Sequence, residues 1–102
     1  MDRIAMLQEF LDQNPADAFA RYGLAMEYSK AGQAETALHE FQKILETNAD
    51  YVPAYQMAAQ VLAQEGRDGE SREWLTRGIE AARRTGNSKA QNEMQAILQE
   101  ME

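Results

Sequence analysis

The sequence predicts an all-α chain: an α-α superhelix, or solenoid, of about six antiparallel-paired helices. Three observations carry that prediction. Apolar residues return at three- and four-residue steps, as Ile4, Leu7 and Leu11 do early and Leu38, Phe41, Ile44 and Leu45 do later, the period of a helix with one buried face. No alternating β-branched run bounded by turn signals occurs, so strands are not expected. Finally, the chain matches itself at a shift of 34: Ala20 falls on Ala54, Ala25 on Ala59, Gly32 on Gly66, Phe41 on Leu75, Leu45 on Ile79 and Glu46 on Glu80. The register also runs backwards, with Leu7 on Phe41, Leu11 on Leu45 and Asn14 on Asn48. Repeats of this length mark stacked units, each too small to bury its apolar face alone.

Each helix is bounded by residues suited to its ends. The spacing predicts helices near residues 2–13, 16–31, 34–47, 51–65, 69–84 and 88–101. Asn14 before Pro15 reads as a boundary, Gly32 and Gly66 as left-handed helix ends, and Ser88 with Gln91 as a capping box. Along this frame the chain divides into a leading half-repeat helix (1–15), a first repeat (16–50), a second repeat (51–85) and a closing helix (87–102). All four belong to one domain, 1–102. The closing helix places Ala90, Met94, Ile97, Leu98 and Met101 on one stripe, as expected of a cap for an apolar end.

Composition removes several function classes. The net charge of −7 works against the phosphate backbone of nucleic acids, whose neutralisation supplies most of such binding. Acids exceed bases nine to four in residues 1–51 and eight to six in residues 52–102, so neither half offers a basic face. Arg83 and Arg84 read as cations completing the carbonyl end of a helix. No apolar run approaches the roughly 20 residues that span a bilayer, and the opening MDRIAMLQEFLDQ lacks the continuous apolar centre of a signal peptide. With no cysteine, disulfides and thiolate chemistry are excluded and a reducing compartment fits. The expectation is an acidic cytoplasmic protein.

The repeat frame resembles the tetratricopeptide repeat. Leu24, Ala25, Tyr28, Gly32, Ala37 and Phe41 carry the likeness in the first repeat. Tyr55, Ala58, Ala59, Leu62, Gly66, Ser71 and Leu75 carry it in the second, and Leu7, Leu11 and Pro15 in the leading half-repeat. Arg21 departs from the pattern where an aromatic is usual, and Ala49 and Arg83 stand where the exit proline would be. The likeness spans about residues 3 to 85 and leaves the last helix outside. It implies a scaffold or adaptor whose first helices line a concave groove for a partner's peptide or amphipathic helix. The positions matching that lining are Phe19, Tyr22, Met26, Ser29 and Lys30, then Tyr51, Gln56, Gln60 and Gln64. Phe19, Tyr22, Met26 and Gln56 stand where the family's carboxylate clamp would place its Lys, Asn and Arg. Aromatics, a flexible Met and amides suit an apolar or amphipathic segment instead.

Catalysis finds no constellation. His39, with Glu35 four residues earlier, is the nearest approach to a metal or acid-base site, but it is the chain's one histidine and a metal needs three or four converging ligands. A solvated surface histidine is expected. Ser29, Ser71 and Ser88 read as helix, packing and cap residues, and residues 66–69, GRDG, as a turn. No cofactor, metal, small-molecule substrate, membrane or nucleic acid is expected, and the protein is not expected to be an enzyme. The expected partner is another protein or peptide. The alternative is a structural protein that forms a homodimer or larger homo-oligomer through its terminal amphipathic helices; the groove is either open or covered by the chain's own first helix or by a second copy.

Overall fold

The computed structural model describes residues 2–101. Among them it contains six α-helices and no strand: α1 (Arg3–Gln13), α2 (Ala18–Lys30), α3 (Ala34–Thr47), α4 (Val52–Gln64), α5 (Asp68–Thr85) and α6 (Ser88–Glu100). The all-α expectation holds, and the helices fall within about two residues of the expected spans.

Local chemistry explains the ends. α2, α4 and α5 stop in the same way: Gly32, Gly66 and Gly86 have φ of 78°, 76° and 72°. The next N–H in each case reaches back to Tyr28, Leu62 and Ala82 at 2.9, 2.9 and 2.8 Å. This is the Schellman closure, and at Gly32 and Gly66 its left-handed residue coincides with the glycines of the repeat frame. Two starts differ from expectation. α2 begins at Ala18 rather than 16, because the Asp17 carboxylate accepts the Ala20 N–H at 2.9 Å while residues 15–16 form a turn. α6 is capped by Asn87, not Ser88: Asn87 Oδ1 accepts from Ala90 N at 3.1 Å. Asparagine and serine cap comparably well, so the preceding closure at Gly86 decides which is used.

The chain divides into two compact units, residues 1–48 and 49–102. In the first, α2 packs against both α1 and α3. Leu11, Ala20 and Leu24 form its buried centre with Ile4, Leu7 and Tyr28 against them, each large aliphatic side chain stabilising by about 1.5–3 kcal/mol when buried. Gln8 Nε2 donates to Tyr28 Oη at 2.6 Å, and Arg3 pairs with Glu27 at 3.1 Å, tying α1 to α2. Toward α3, the small pair Ala25 and Ala37 is fully buried, as is Phe41, whose ring meets Tyr22 edge-on with centroids 5.9 Å apart. Arg21, the departure from the aromatic pattern, bonds Glu40 Oε1 at 2.6 Å and the Pro15 carbonyl at 3.1 Å.

In the second unit α5 is the central helix, packed against α4 and α6. Ser71, buried, donates its hydroxyl to the Ala59 carbonyl at 2.8 Å, so the small residue expected there also closes a hydrogen bond between helices. Tyr55 faces Trp74 at 6.2 Å and donates to the Ala49 carbonyl at 2.6 Å. Gly78 is the point where α4 and α6 both reach α5. A methyl group there would lie 2.7 Å from Tyr55 Cβ and 2.6 Å from Met94 Sδ.

Candidate protein-interaction surface

The first unit presents an open groove of about 470 Å3 between α1 and α2. α2 brings Phe19, Tyr22 and Met26 to it because they sit at positions i, i+3 and i+7, one face of a helix. Lys30 extends the row at i+11. α1 supplies the opposite wall with Leu7 and Phe10. Phe19 is 79% exposed and Phe10 47%. Two large aromatic side chains left open beside one another form the kind of apolar patch that a binding surface carries. At one end Glu27 accepts from both Arg3 (3.1 Å) and Lys30 (3.5 Å), so the rim is polar and two cations share one carboxylate.

The expected site residues fall into three groups. Phe19, Tyr22, Met26 and Lys30 line this groove together. Tyr22 has a second task, since half of its surface is taken by packing that includes the edge of Phe41. Ser29 is half-buried on α2 and lies outside that lining. In the second unit Tyr51 is the residue before α4 and is half-buried, and Gln56, Gln60 and Gln64 follow on α4 at four-residue steps, the last two exposed. They form an amide stripe on that helix.

Two contributors escaped the sequence reading. Phe10 and Arg3 belong to the leading helix, whose apolar positions Ile4, Leu7 and Leu11 pointed to its buried face. The periodicity that marks that face says nothing of what its flank meets. The second is a groove of about 690 Å3 in the second unit, where Tyr55, Thr76, Arg77, Ile79, Arg83 and Leu98 contribute walls. Arg77 stacks over Trp74 at 4.9 Å and Tyr55 at 5.4 Å, an attraction between a cation and the electron-rich ring faces. The three-residue step from Trp74 to Arg77 was its sequence signal. Arg83 and Arg84 do occupy the last turn of α5, with Arg83 bonded to Glu80 (2.6 Å) and Arg84 to Asp50 (2.9 Å). The Asp50 carboxylate pushes the Arg84 guanidinium pKa upward.

His39 is exposed on α3, and among the described residues no group of three or more His, Cys, Asp or Glu side chains could hold a metal ion. No described helix is long and apolar enough to cross a membrane.

Comparison with known proteins places these observations. Two tetratricopeptide repeat family models match, one over residues 28–97 and one over residues 1–52. The matched span reaches well into α6, which the sequence reading left outside the repeat frame. The physical reason is that Ala90 and Met94 bury against α5 as a first helix of a repeat does. A TPR repeat-containing protein of Pseudomonas aeruginosa is 25% identical over 96 residues, 94% of this chain and 91% of that protein. The solution structure of a tetratricopeptide repeat domain protein from Salinibacter ruber superposes with a TM-score of 0.81 at 34% identity, covering 86% of this chain and 89% of that one. The Yersinia enterocolitica type III secretion chaperone SycD, in complex with a peptide of the translocator YopD, superposes at 0.85. Its identity is 18%, over 96% of this chain and 76% of that one, a likeness of fold.

Proposed function

The chain belongs to the tetratricopeptide repeat family, and from that membership we propose that it is a non-catalytic interaction module holding a partner's peptide or amphipathic helix in the α1–α2 groove. The observation that carries the reading is the pairing of exposed Phe19 and Phe10 across an open groove with Met26 beside them. Aromatic rings offer large contact area at small entropic cost, and the flexible thioether of Met adapts to varied apolar shapes. An amphipathic segment inserts its apolar side chains between the two helices and keeps its polar side toward the Arg3–Glu27–Lys30 rim. Ser29 is assigned as a hydrogen-bonding contact on α2, and on the second unit, taken by itself, Tyr51, Gln56, Gln60 and Gln64 are assigned as hydrogen-bonding contacts of their own. Zero cysteines and the acidic balance support a cytoplasmic setting. The SycD complex supports the reading only in that a protein of the same fold binds a peptide.

The test compares two baits in affinity capture from the source cell's lysate: the wild type and a Phe19→Ser, Met26→Glu variant of matched helicity. Phe19 and Met26 are chosen over Tyr22 because Tyr22 also packs on Phe41. A protein retained by the wild type and missing from the variant is the expected result. Equal recovery of the same proteins by both baits sinks the assignment.

A further inference from the structure

We propose that the α5–α6 groove is the seat for helix α1 of a second copy of this chain, so that copies associate head to tail. The α5–α6 groove is separate from the α1–α2 groove, although Phe10 of α1 belongs both to the wall of the latter and to the row seated in the former.

One arrangement of the first unit recurs in the second. In the first unit, Gln8, Leu11 and Asp12 of α1 and Tyr28 of α2 line a cavity closed on its third side by Glu40 and Lys43 of α3. Taken twice, the 34-residue shift sets Gln8, Leu11 and Asp12 on Thr76, Ile79 and Glu80 of α5, and Leu98 stands ten residues after the first residue of α6 as Tyr28 does in α2; all four line the α5–α6 groove. The two walls are therefore rebuilt in the second unit, while no third helix closes them among the described residues. What fits such a seat is a helix patterned like α3.

α1 is that helix. Leu7 and Leu11 are in register with Phe41 and Leu45, and the same 34-residue shift sets Met6 on Glu40 and Phe10 on Ile44. Glu40 and Ile44 are 7% and 1% exposed, whereas Met6 and Phe10 are 53% and 47% exposed. α1 thus shows to solvent the row that α3 buries against the helix before it. Seated in the groove, Met6 takes the place of Glu40 on a wall that carries Leu98.

Charge agrees. Glu9 corresponds to Lys43, which shares its cavities with Asp12 and Pro15, and the counterparts of those two residues are Glu80 and Arg83. The seated Glu9 therefore meets a wall carrying Glu80 and Arg83, which are paired with each other at 2.6 Å, and also Arg77, whose guanidinium lies over two rings and forms no ion pair with a described carboxylate. Opposite charges across such an interface favour this register over a slipped one. The contact joins two different surfaces, so each copy keeps one free seat and one free α1, and association does not close at two chains.

Sedimentation velocity tests this with Met6→Glu, which spoils α1 without touching the α1–α2 groove lining, and Leu98→Glu, which spoils the seat. Arg83→Glu, on an exposed side chain, serves if Leu98→Glu loses helicity. The expected wild-type mass grows with concentration past two chains, and each variant alone stays a single chain. An equimolar mixture of the two variants gives a species of two chains and no more, since only one intact seat and one intact α1 remain. A wild type that is a single chain across a hundredfold concentration range overturns the proposal, whatever other protein its groove retains. So does a wild type that stops at two chains, or a mixture that forms no heterodimer.

Discussion

Arg21 and Glu40 meet across α2 and α3 at 2.6 Å, at the two positions that 34 residues later hold Tyr55 and Trp74. One place in the repeat is thus filled by an ion pair in the first unit and by an aromatic pair in the second. The side chains of Arg21 and Glu40 keep 17% and 9% of their surface, so most of their hydration is lost; their mutual bond replaces it together with the Pro15 carbonyl on Arg21 and Lys43, at 3.6 Å, on Glu40. Removing one partner of such a pair strands the other charge, at a cost of about 3–5 kcal/mol, whereas replacing both with packed apolar groups is often neutral or stabilising. Glu40→Ala is therefore expected to lower the urea midpoint sharply. The double variant Arg21→Tyr, Glu40→Trp, which copies the second unit, is expected to match or exceed the wild type.

Gly78 admits no side chain without movement. Alanine would gain about 1 kcal/mol of helix propensity, but its methyl group would press on Tyr55 Cβ, which is one bond from the backbone and cannot turn aside. Overpacking of this kind costs about 1–3 kcal/mol. Gly78→Ala is expected to be destabilising in thermal unfolding, and adding Met94→Ala is expected to worsen rather than rescue it, because Tyr55 is the rigid contact. A stabilised Gly78→Ala would mean that α4 sits further from α5 than the structure has it.

Two phenylalanines separate stability from binding. Phe41 has no exposed surface and Phe19 is 79% exposed. Truncating a buried phenylalanine to alanine costs about 3–5 kcal/mol, a large part of the roughly 5–15 kcal/mol expected for a domain. Phe19→Ala lies in the range of about ±0.5 kcal/mol usual for surface changes. Denaturant titration of the two variants checks the contrast, and a Phe19→Ala cost near that of Phe41→Ala would show that the Phe19 ring is covered.

Arg67 holds the Glu70 carboxyl below its ordinary value of 4.5, chiefly through their hydrogen bonds at the start of α5. The folded pKa is depressed, so the favourable contribution is present above the unfolded pKa and fades as pH falls through the folded one. Carboxyl-detected NMR titration is expected to give Glu70 a pKa under 4.5 that rises in Arg67→Ala. Full exposure of the pair keeps its effect on stability small.

How much of this was legible in advance follows from the range of each interaction. Gly32 and Gly66 could be read as helix ends because a left-handed residue and its closing hydrogen bonds involve neighbours only a few positions apart. The burial of Ala25, Ala37, Phe41, Ser71 and Leu75 was legible because a 34-residue recurrence forces equivalent residues into equivalent surroundings. The Asn87 cap was missed where two adjacent residues had nearly equal capping strength. The bond between Glu40 and Arg21, nineteen residues apart, has no signal in the local pattern of either helix.

The sequence by itself determined the helices, their turns, the repeat frame and the small residues at helix crossings, since all of these rest on short-range periodicity or on repetition. Tertiary structure alone decided which apolar residues stay open. Leu7 and Phe10 are both apolar and three residues apart on α1, yet Leu7 packs into the first unit's core while Phe10 stands half in solvent facing Phe19. Likewise Arg77 became a stacked cation only when α4 and α5 brought Tyr55 and Trp74 beneath it. Exposure and stacking depend on partners from other helices, whose approach is set by the packing of the whole unit and leaves no mark in the local pattern.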